Sequence, residues 1–375
     1  MKKVLVASDS FKGTLSSMKI AEIFSEVAKK GQFDVEVRGV GIADGGEGTL
    51  SAIFSSGGYK KIQKECNNPL FEKTTAFYAM KGDTAVIETA EASGLTLIEY
   101  RDGNALRTTT YGTGELIFDA VNRGAKKIFL CLGGSATNDG GIGALSALGF
   151  KFSDKYGEEI IPIGENLGKI TSVDQSGAAY LKGIEFILVS DVDNPLLGEF
   201  GATRFFGEQK GAVGVAADIL ETGMKSFAAV TEKATGIRLN DLKCAGAAGG
   251  LGGGFIAYLG AKASSGINAV LDLIDFDEKL TGVDAVVTGE GRIDEQSLHG
   301  KAVFGVCERA KKAGADVYAI AGYTVLCEEE IQKGGIKHVE TLLSYAKTVE
   351  DSIKNAAHYA EKAAEKLLKI ITGDC

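Results

Sequence analysis

The chain has 375 residues, with 41 Lys plus Arg against 50 Asp plus Glu, a formal net charge of −9, and 45% hydrophobic residues. That length exceeds one ordinary core and predicts two domains of a globular protein. The acidic balance argues against a nucleic-acid partner, which needs a basic face, and leaves room for a small anion held by local cations.

In chain order, "KKVLVAS" is a continuous apolar run of strand length, the pattern of a parallel strand covered on both faces. It ends at Ser8-Asp9, too soon for a signal peptide. A helix follows, with Ser16 or Ser17 as N-cap and Ile20, Ile23, Phe24 and Val27 on one face. "VEVRGVGIA" reads as a second strand, broken by "DGG", and Leu50, Ile53 and Phe54 mark a short helix. This β-α-β-α beginning predicts a doubly wound sheet.

From about Tyr59 the pattern changes. "KTTAFYAM" and "KGDTAVIETA" read as an antiparallel hairpin turning at Lys-Gly-Asp. The strand "KKIFLCLGG", a helix after Gly140, the strand "IEFILVSD" and a helix from about Val213 to Thr235 continue a second domain. The Gly/Ala-rich stretch 244–261 reads as buried loop and helix, because its glycines disfavour a membrane span. At "VDAVVTGEG" the doubly wound pattern returns, with strands "DVYAIAG" and "HVETLL", a helix over about 301–313, and a last helix from about Glu350 to Ile371 capped by Thr348. The last helix's expected apolar face is Ile353, Ala357, Ala360, Ala364, Leu367 and Ile371.

The expected architecture is therefore α/β. A Rossmann-like, doubly wound parallel domain is discontinuous over residues 1–62 and 283–375. An α/β domain, 63–282, is inserted into it, with the active site expected in a cleft between the two. Cys66, Cys131, Cys244, Cys307, Cys327 and Cys375 form no close pair, which predicts reduced thiols in a cytoplasmic protein. His299, His338 and His358 are too few and too scattered for a zinc site.

Five polar clusters lie where strands end, the side on which open parallel sheets bind ligands. In "SDSFKGTLSS", Asp9 and Ser10 leave the first strand and Lys12 stands before a helix N-terminus, a pairing suited to an anion. In "IADGGEGT", Asp44 ends the second strand beside glycines. In "LGGSATNDGG", Gly133, Gly134, Ser135, Thr137 and Asn138 offer amides and hydroxyls as a phosphate nest, without the Walker order of Gly-Lys-Ser/Thr. In "SDVDNPL", Asp191 and Asp193 alternate and would share one face if the strand continues, as a Mg²⁺ site or a base-and-metal pair; Gln209 and Lys210 follow in "FGEQKGA". In "TGEGRIDEQSLHGK", Glu290, Arg292, Asp294 and Gln296 leave an apolar strand, and Arg292 is the residue type that grips a carboxylate or phosphate. Residues 252–257 fit G-x-G-x-x-A but lack the preceding strand of a dinucleotide site.

These strings, in this order and together with "AAGGLGGGF", resemble the type I glycerate kinase family. They span residues 9–301, and the flanking strands and last helix extend the likeness over the whole chain. One departure is Ser190 before "DVDNPL", where a cysteine is expected. The resemblance implies an ATP-dependent, cytoplasmic kinase of D-glycerate, with 2-phosphoglycerate as product and Mg²⁺ beside the nucleotide. Given that chemistry, Lys12 and Arg292 are assigned to the substrate carboxylate and the migrating phosphoryl group. Asp44 or Asp191 is the base, and Asp191 and Asp193 are the metal ligands. Ser10, Glu290, Asp294 and Gln296 complete the acceptor site, and the 133–138 loop holds the phosphates. No nucleic acid or membrane partner is expected, and a monomer or homodimer is. The alternatives are phosphorylation of the 3-hydroxyl, a nicotinamide oxidoreductase, for which the first strand lacks its glycine signature, and a non-enzymatic hydroxy-acid binder.

Overall fold

The structure is a computed structural model. It describes residues 1–374 other than 47, 57, 299 and 300; the side chains of Gln296 and Leu298 are also outside the described set. The chain divides into two compact units, one of Met1–Asp44, Ser51–Gly57 and Ser265–Cys375, the other of Gly45–Leu50 and Gly58–Ser264.

In chain order the strands are β1 (Lys2–Ser8), β2 (Val35–Gly39), β3 (Lys60–Asn67), β4 (Lys73–Lys81), β5 (Thr84–Glu88), β6 (Lys127–Cys131) and β7 (Lys151–Ser153). They continue as β8 (Ser172–Asp174), β9 (Glu185–Val189), β10 (Lys262–Ser264), β11 (Ala285–Ile293), β12 (Asp316–Thr324) and β13 (His338–Thr341).

The first unit holds a parallel sheet in the order β13-β12-β11-β1-β2. Val4, Val6, Val287, Tyr318 and Ile320 pack against the helices Ser17–Lys30 and Ala356–Thr372. Their alternates Leu5, Ala7, Val286 and Ala319 are equally buried, and the helix Ala302–Lys312 packs against β11 and β12. Burial on both faces explains why these strands read as unbroken apolar runs. Chain order reverses at β1, which has β2 on one side and β11 on the other. That reversal opens a crevice at the strands' C-terminal ends.

Ser16 is the N-cap of the first helix, accepting from Lys19 N at 3.2 Å. Ser17 instead donates to Ser8 O at 2.6 Å and accepts from Ile42 N at 3.0 Å. One buried hydroxyl thus ties the end of β1 to the segment that follows β2 and carries Asp44.

The second unit holds a mixed sheet in the order β10-β9-β6-β5-β4-β3. It is antiparallel from β3 to β5 and parallel from β5 to β10. Lys81 pairs with Thr84 around the expected turn. Its core gathers Tyr78, Ile87, Ile128, Leu130, Leu145, Phe227, Leu251 and Phe255. The G-x-G-x-x-A residues lie in the buried helix Leu251–Leu259. There Gly254 packs so closely on Gly140 that a Cβ would sit 2.4 Å from its carbonyl oxygen, so these glycines serve packing and not a cofactor.

Three expectations need correction. Gly45–Leu50 and residues 58–62 fall in the second unit, the latter because β3 pairs along its length with β4. Residues 265–282 fall in the first unit. Gly305 accommodates Ile267 there, and Arg309 pairs with Asp272 and Asp277, each at 2.6 Å. The last helix is two helices, Val349–Lys354 and Ala356–Thr372, meeting at Asn355. The break rephases the apolar stripe, so Ile353 is 57% exposed and Ala356 takes its place in the core. Thr348 is the cap, accepting from Asp351 N at 3.1 Å.

Ser17→Ala leaves the buried Ile42 N–H without its acceptor. A loss of about 1–3 kcal/mol is expected from equilibrium urea unfolding, provided the transition is cooperative.

Candidate active site

In the first unit a cavity of about 520 Å³ opens at the C-terminal ends of β1, β11 and β12. Asp9, Ser10 and Lys12 reach it from β1, Asp44 from the segment after β2, and Glu290, Arg292, Asp294 and Lys301 from β11 and its continuation. The register places Ser8 beside Gly289, and Asp9 N donates to Gly289 O at 2.8 Å. Two segments 280 residues apart in sequence therefore deliver their polar groups to one place. Gly289 is required there, since a Cβ would lie 2.0 Å from Ile320 O.

The cavity balances four carboxylates against three cations. Lys12 Nζ lies 3.8 Å from Asp44 Oδ2, and Arg292 Nε 3.2 Å from Asp294 Oδ2. Arg292 also stands over the Tyr323 ring, 5.6 Å from its centroid, which orients the guanidinium plane. Ser297 steadies this turn by donating to Arg292 O at 3.3 Å and accepting from Asp294 N at 3.0 Å. Lys12 is widely exposed, so its pairing with Asp44 contributes little to stability and leaves the ammonium available to a ligand.

Asp9 and Glu290 differ from the rest. Asp9 is 8% exposed, and burial, reinforced by the Asp44 charge, pushes its carboxyl up to about 7. The Ser10 N–H at 2.7 Å and Lys12 only partly oppose this. Burial likewise raises Glu290, whose Oε1 has no hydrogen-bond partner among the described residues. An orphaned acceptor of this kind beside a polar cavity suits a ligand's hydroxyl donor.

The second unit carries a smaller cavity, about 250 Å³, at the ends of β6 and β9. Gly133, Gly134 and Ser135 form one wall, and Ser190, Phe206, Gln209, Lys210, Ala247 and Ala248 contribute to the others. The loop is held from behind by Asp139, which is fully buried. It accepts from Thr110 N (2.7 Å), Thr110 Oγ1 (2.8 Å), Gly141 N (3.0 Å) and Gly143 N (3.2 Å). Burial pushes its pKa up and these four donors pull it down. Gly140 N donates to Gly249 O at 2.9 Å. Ala248 adopts φ 50° beside Gly249, where any side chain would strike Thr137 O. The glycines are thus set by a close backbone crossing.

The structure brings Ser10, Lys12, Asp44, Glu290, Arg292 and Asp294 together in the first cavity, and Gly133, Gly134 and Ser135 in the second. Gln296's side chain lies outside the described set. Thr137 and Asn138 are buried behind the loop: Asn138 Nδ2 donates to Thr203 Oγ1 at 3.0 Å, and Thr137 O accepts from Lys210. Asp191 and Asp193 do not share a strand face, because β9 stops at Val189 when the chain turns toward Asn194-Pro195. Both are exposed, neither lines a cavity described above, and Asp193 is engaged by Lys243 at 2.8 Å.

Sequence reasoning placed Asp9 and Lys210 in the strand-end clusters without assigning either a role in the site, and it passed over Lys301. Lys210, bounded by Gly207 and Gly211, was visible as a lone cation in a glycine-framed turn. A larger cavity in the first unit, about 710 Å³, is lined by Phe304, Cys307, Leu326 and solvent-facing Lys and Glu side chains between two helices; it gathers no strand-end cluster.

A phosphate chain fits the second cavity: bare backbone beside Gly134, the hydroxyls of Ser135 and Ser190, and one buried ammonium. A resident Mg²⁺ does not fit the Asp191–Asp193 pair. Among the described residues no group of three or more His, Cys, Asp or Glu is placed to hold a metal. Mg²⁺ that arrives chelated to a nucleotide belongs to the substrate and needs few protein ligands. Among the described residues no helix is long and apolar enough to cross a membrane.

Comparison with known proteins gives a consistent answer. The model of the family described as "Glycerate kinase family" matches residues 4–372. The Bacillus subtilis (strain 168) protein named glycerate kinase is 41% identical over 368 residues, 97% of this chain and 96% of its own. The Escherichia coli (strain K12) protein named glycerate 2-kinase is 39% identical over 357 residues, 94% of each chain. A crystal structure from Salmonella typhimurium LT2 superposes with a TM-score of 0.86 at 34% identity, covering 100% of this chain and 99% of the other.

The Asp9 shift implies a pH-dependent cost. Its folded pKa is raised above its unfolded value of 3.8, so the favourable, protonated form is lost as pH climbs from about 4 through about 7. Asp9→Asn removes that cost. The variant is expected to unfold at a higher temperature than the parent, with a larger gain at pH 8 than at pH 5. Equal gains at the two pH values would contradict the assignment.

Proposed function

The chain belongs to the glycerate kinase family and is a kinase; on that premise we propose that it transfers the terminal phosphoryl group of ATP to the 2-hydroxyl of D-glycerate, giving 2-phosphoglycerate and ADP. The observation that carries this reading is the first unit's cavity, where cations face two charge-shy carboxyl groups, Asp9 buried and Glu290 half-buried. A three-carbon hydroxy acid needs that combination: a cation for its carboxylate, acceptors for its hydroxyls and a group able to take one proton. The name of the Escherichia coli relative supports the 2-hydroxyl.

Arg292, fixed against Tyr323 and Asp294, is assigned to the glycerate carboxylate, since its planar fork matches two oxygens. Lys12, near Asp44 and exposed, is assigned to the phosphoryl group as its charge spreads in the transition state. Glu290 and Ser10 orient the hydroxyls. The proton goes to Asp9, whose pKa near 7 lets it be ionised yet basic at neutral pH. Asp44 sustains that pKa by its charge. The O–H bond of the substrate breaks to Asp9, the new O–P bond forms, and ADP leaves with the bridging oxygen. Asp191, exposed and outside this cavity, is set aside as the base. The 133–135 loop of the second unit holds the nucleotide's phosphates, and Mg²⁺ enters with them.

The deciding experiment measures ADP release with and without D-glycerate, and identifies the product by NMR. ADP formed only with glycerate, together with 2-phosphoglycerate, is expected; 3-phosphoglycerate would reassign the hydroxyl, and no turnover would leave a binding protein. Arg292→Lys is expected to raise KM for glycerate by about tenfold or more with little change for ATP. If only the ATP constant moves, the carboxylate assignment fails. Asp9→Asn is expected to lower kcat on the order of 10²-fold while the protein is stabilised, and a near-parental kcat would return the proton to Asp44.

A further inference from the structure

Lys210 stands apart from the other lysines. Its side chain is 5% exposed, and its ammonium donates to Ser135 Oγ and Thr137 O, both at 2.9 Å. An ammonium has three donors, and these two bonds come from the very loop that forms one wall of the small cavity. Among the described residues lining that cavity, Lys210 is the sole charged one; the 132–135 loop, Ser190, Val192, Phe206, Gln209, Ala247 and Ala248 contribute none. The cavity is therefore electropositive, walled by low-dielectric atoms, and faced by exposed backbone at Gly134. At about 250 Å³ it falls below the ~300–1,000 Å³ typical of whole-ligand pockets, so it accommodates phosphates and leaves a nucleoside outside.

We propose that Lys210 directs its third N–H at an oxygen of the nucleotide's phosphate chain and is the principal cation of that site, a proposal that rests on the reading that this cavity receives the phosphates. The two loop bonds fix the ammonium before the ligand arrives, so little side-chain entropy remains to be lost on binding. The site also acquires a pH limit. Burial lowers the Lys210 pKa to about 8, and the one charge acting against this is Asp139, held behind the same loop. A lowered lysine is charged below that pH and neutral above it. Anion affinity is therefore present at neutral pH and declines through pH 8–9, later when phosphate is bound because a bound anion restores the proton.

The test uses the full chain and two probes, ATP and inorganic pyrophosphate, titrated calorimetrically at pH 7.0 and 9.5. Lys210→Met is expected to weaken both probes by about tenfold to a hundredfold at pH 7.0, with KM for glycerate within about twofold of the parent. The parent protein is expected to lose affinity between the two pH values, and the variant to show no such loss. Binding of both probes by a folded Lys210→Met at parental strength overturns the proposal, as does an equal loss of glycerate. Should that variant fail to fold, the parent's pH dependence decides, and a flat profile overturns the role. Gly134→Asp separates the two levels of the argument by placing a carboxylate in the same wall. If it abolishes pyrophosphate binding while Lys210→Met does not, only the lysine's role falls; if neither matters, the phosphate reading of the cavity falls with it.

Discussion

The register of β1 against β11, Val4 beside Ala285 through Ser8 beside Gly289, is the constraint on which the first unit's site depends. It joins segments about 280 residues apart in sequence, so its loop-closure cost is met before any ligand group is in place. Apolar burial on both faces of the two strands offsets that cost. Slipping β1 by one residue against β11 would turn Val4 and Val6 to the face opposite Val287 and displace Asp9 from Glu290. Gly289 permits the alignment by leaving room for Ile320 O, and Ser17 extends it by tying Ser8 to Ile42. The carboxylates of the cavity are thus positioned by strands and not by flexible loops.

Each cavity then holds a charge that the fold would prefer not to bury. Asp9 sits at the end of a fully covered strand, next to a second carboxylate, and Lys210 is sealed behind a glycine loop. A buried group that cannot be fully paired costs stability. Its persistence is understandable where a ligand completes the pairing, and perturbed groups of this kind concentrate at functional sites. The two shifts are opposite in sense. The acid is raised until it can accept a proton near neutrality, and the base is lowered until its charge becomes conditional. Both follow chiefly from desolvation, with Asp44 adding to the first and Asp139 opposing the second.

The glycine-rich segments illustrate how similar patterns serve different ends. Gly133 and Gly134 expose backbone to a cavity, Gly249 makes room for Thr137 O, and Gly254 lets a helix approach Gly140. In each case a missing Cβ is used, once to bare backbone toward a cavity and twice for close packing of the chain on itself. Composition alone cannot tell these apart, because all three read as small residues between apolar runs.

Strand identity, the parallel character of the first sheet, the hairpin at Lys81–Thr84 and the caps at Ser16 and Thr348 were legible in the sequence, because they arise from patterns within ten or twenty residues. So was the clustering of ligand-type residues at strand ends, since the chain must leave a buried strand through polar or glycine residues. What only the tertiary structure decided were the pairings between distant segments. It placed Asp9 beside Asp44 and Glu290, drew Lys210 onto Ser135, and turned Thr137 and Asn138 inward. It also ended β9 at Val189 and left Asp193 on the surface with Lys243. The physical reason is range. Backbone preference and hydrophobic period act over a few neighbours, whereas burial, and with it the charge state of a carboxyl or an ammonium, is set by whichever remote segments fold over the group.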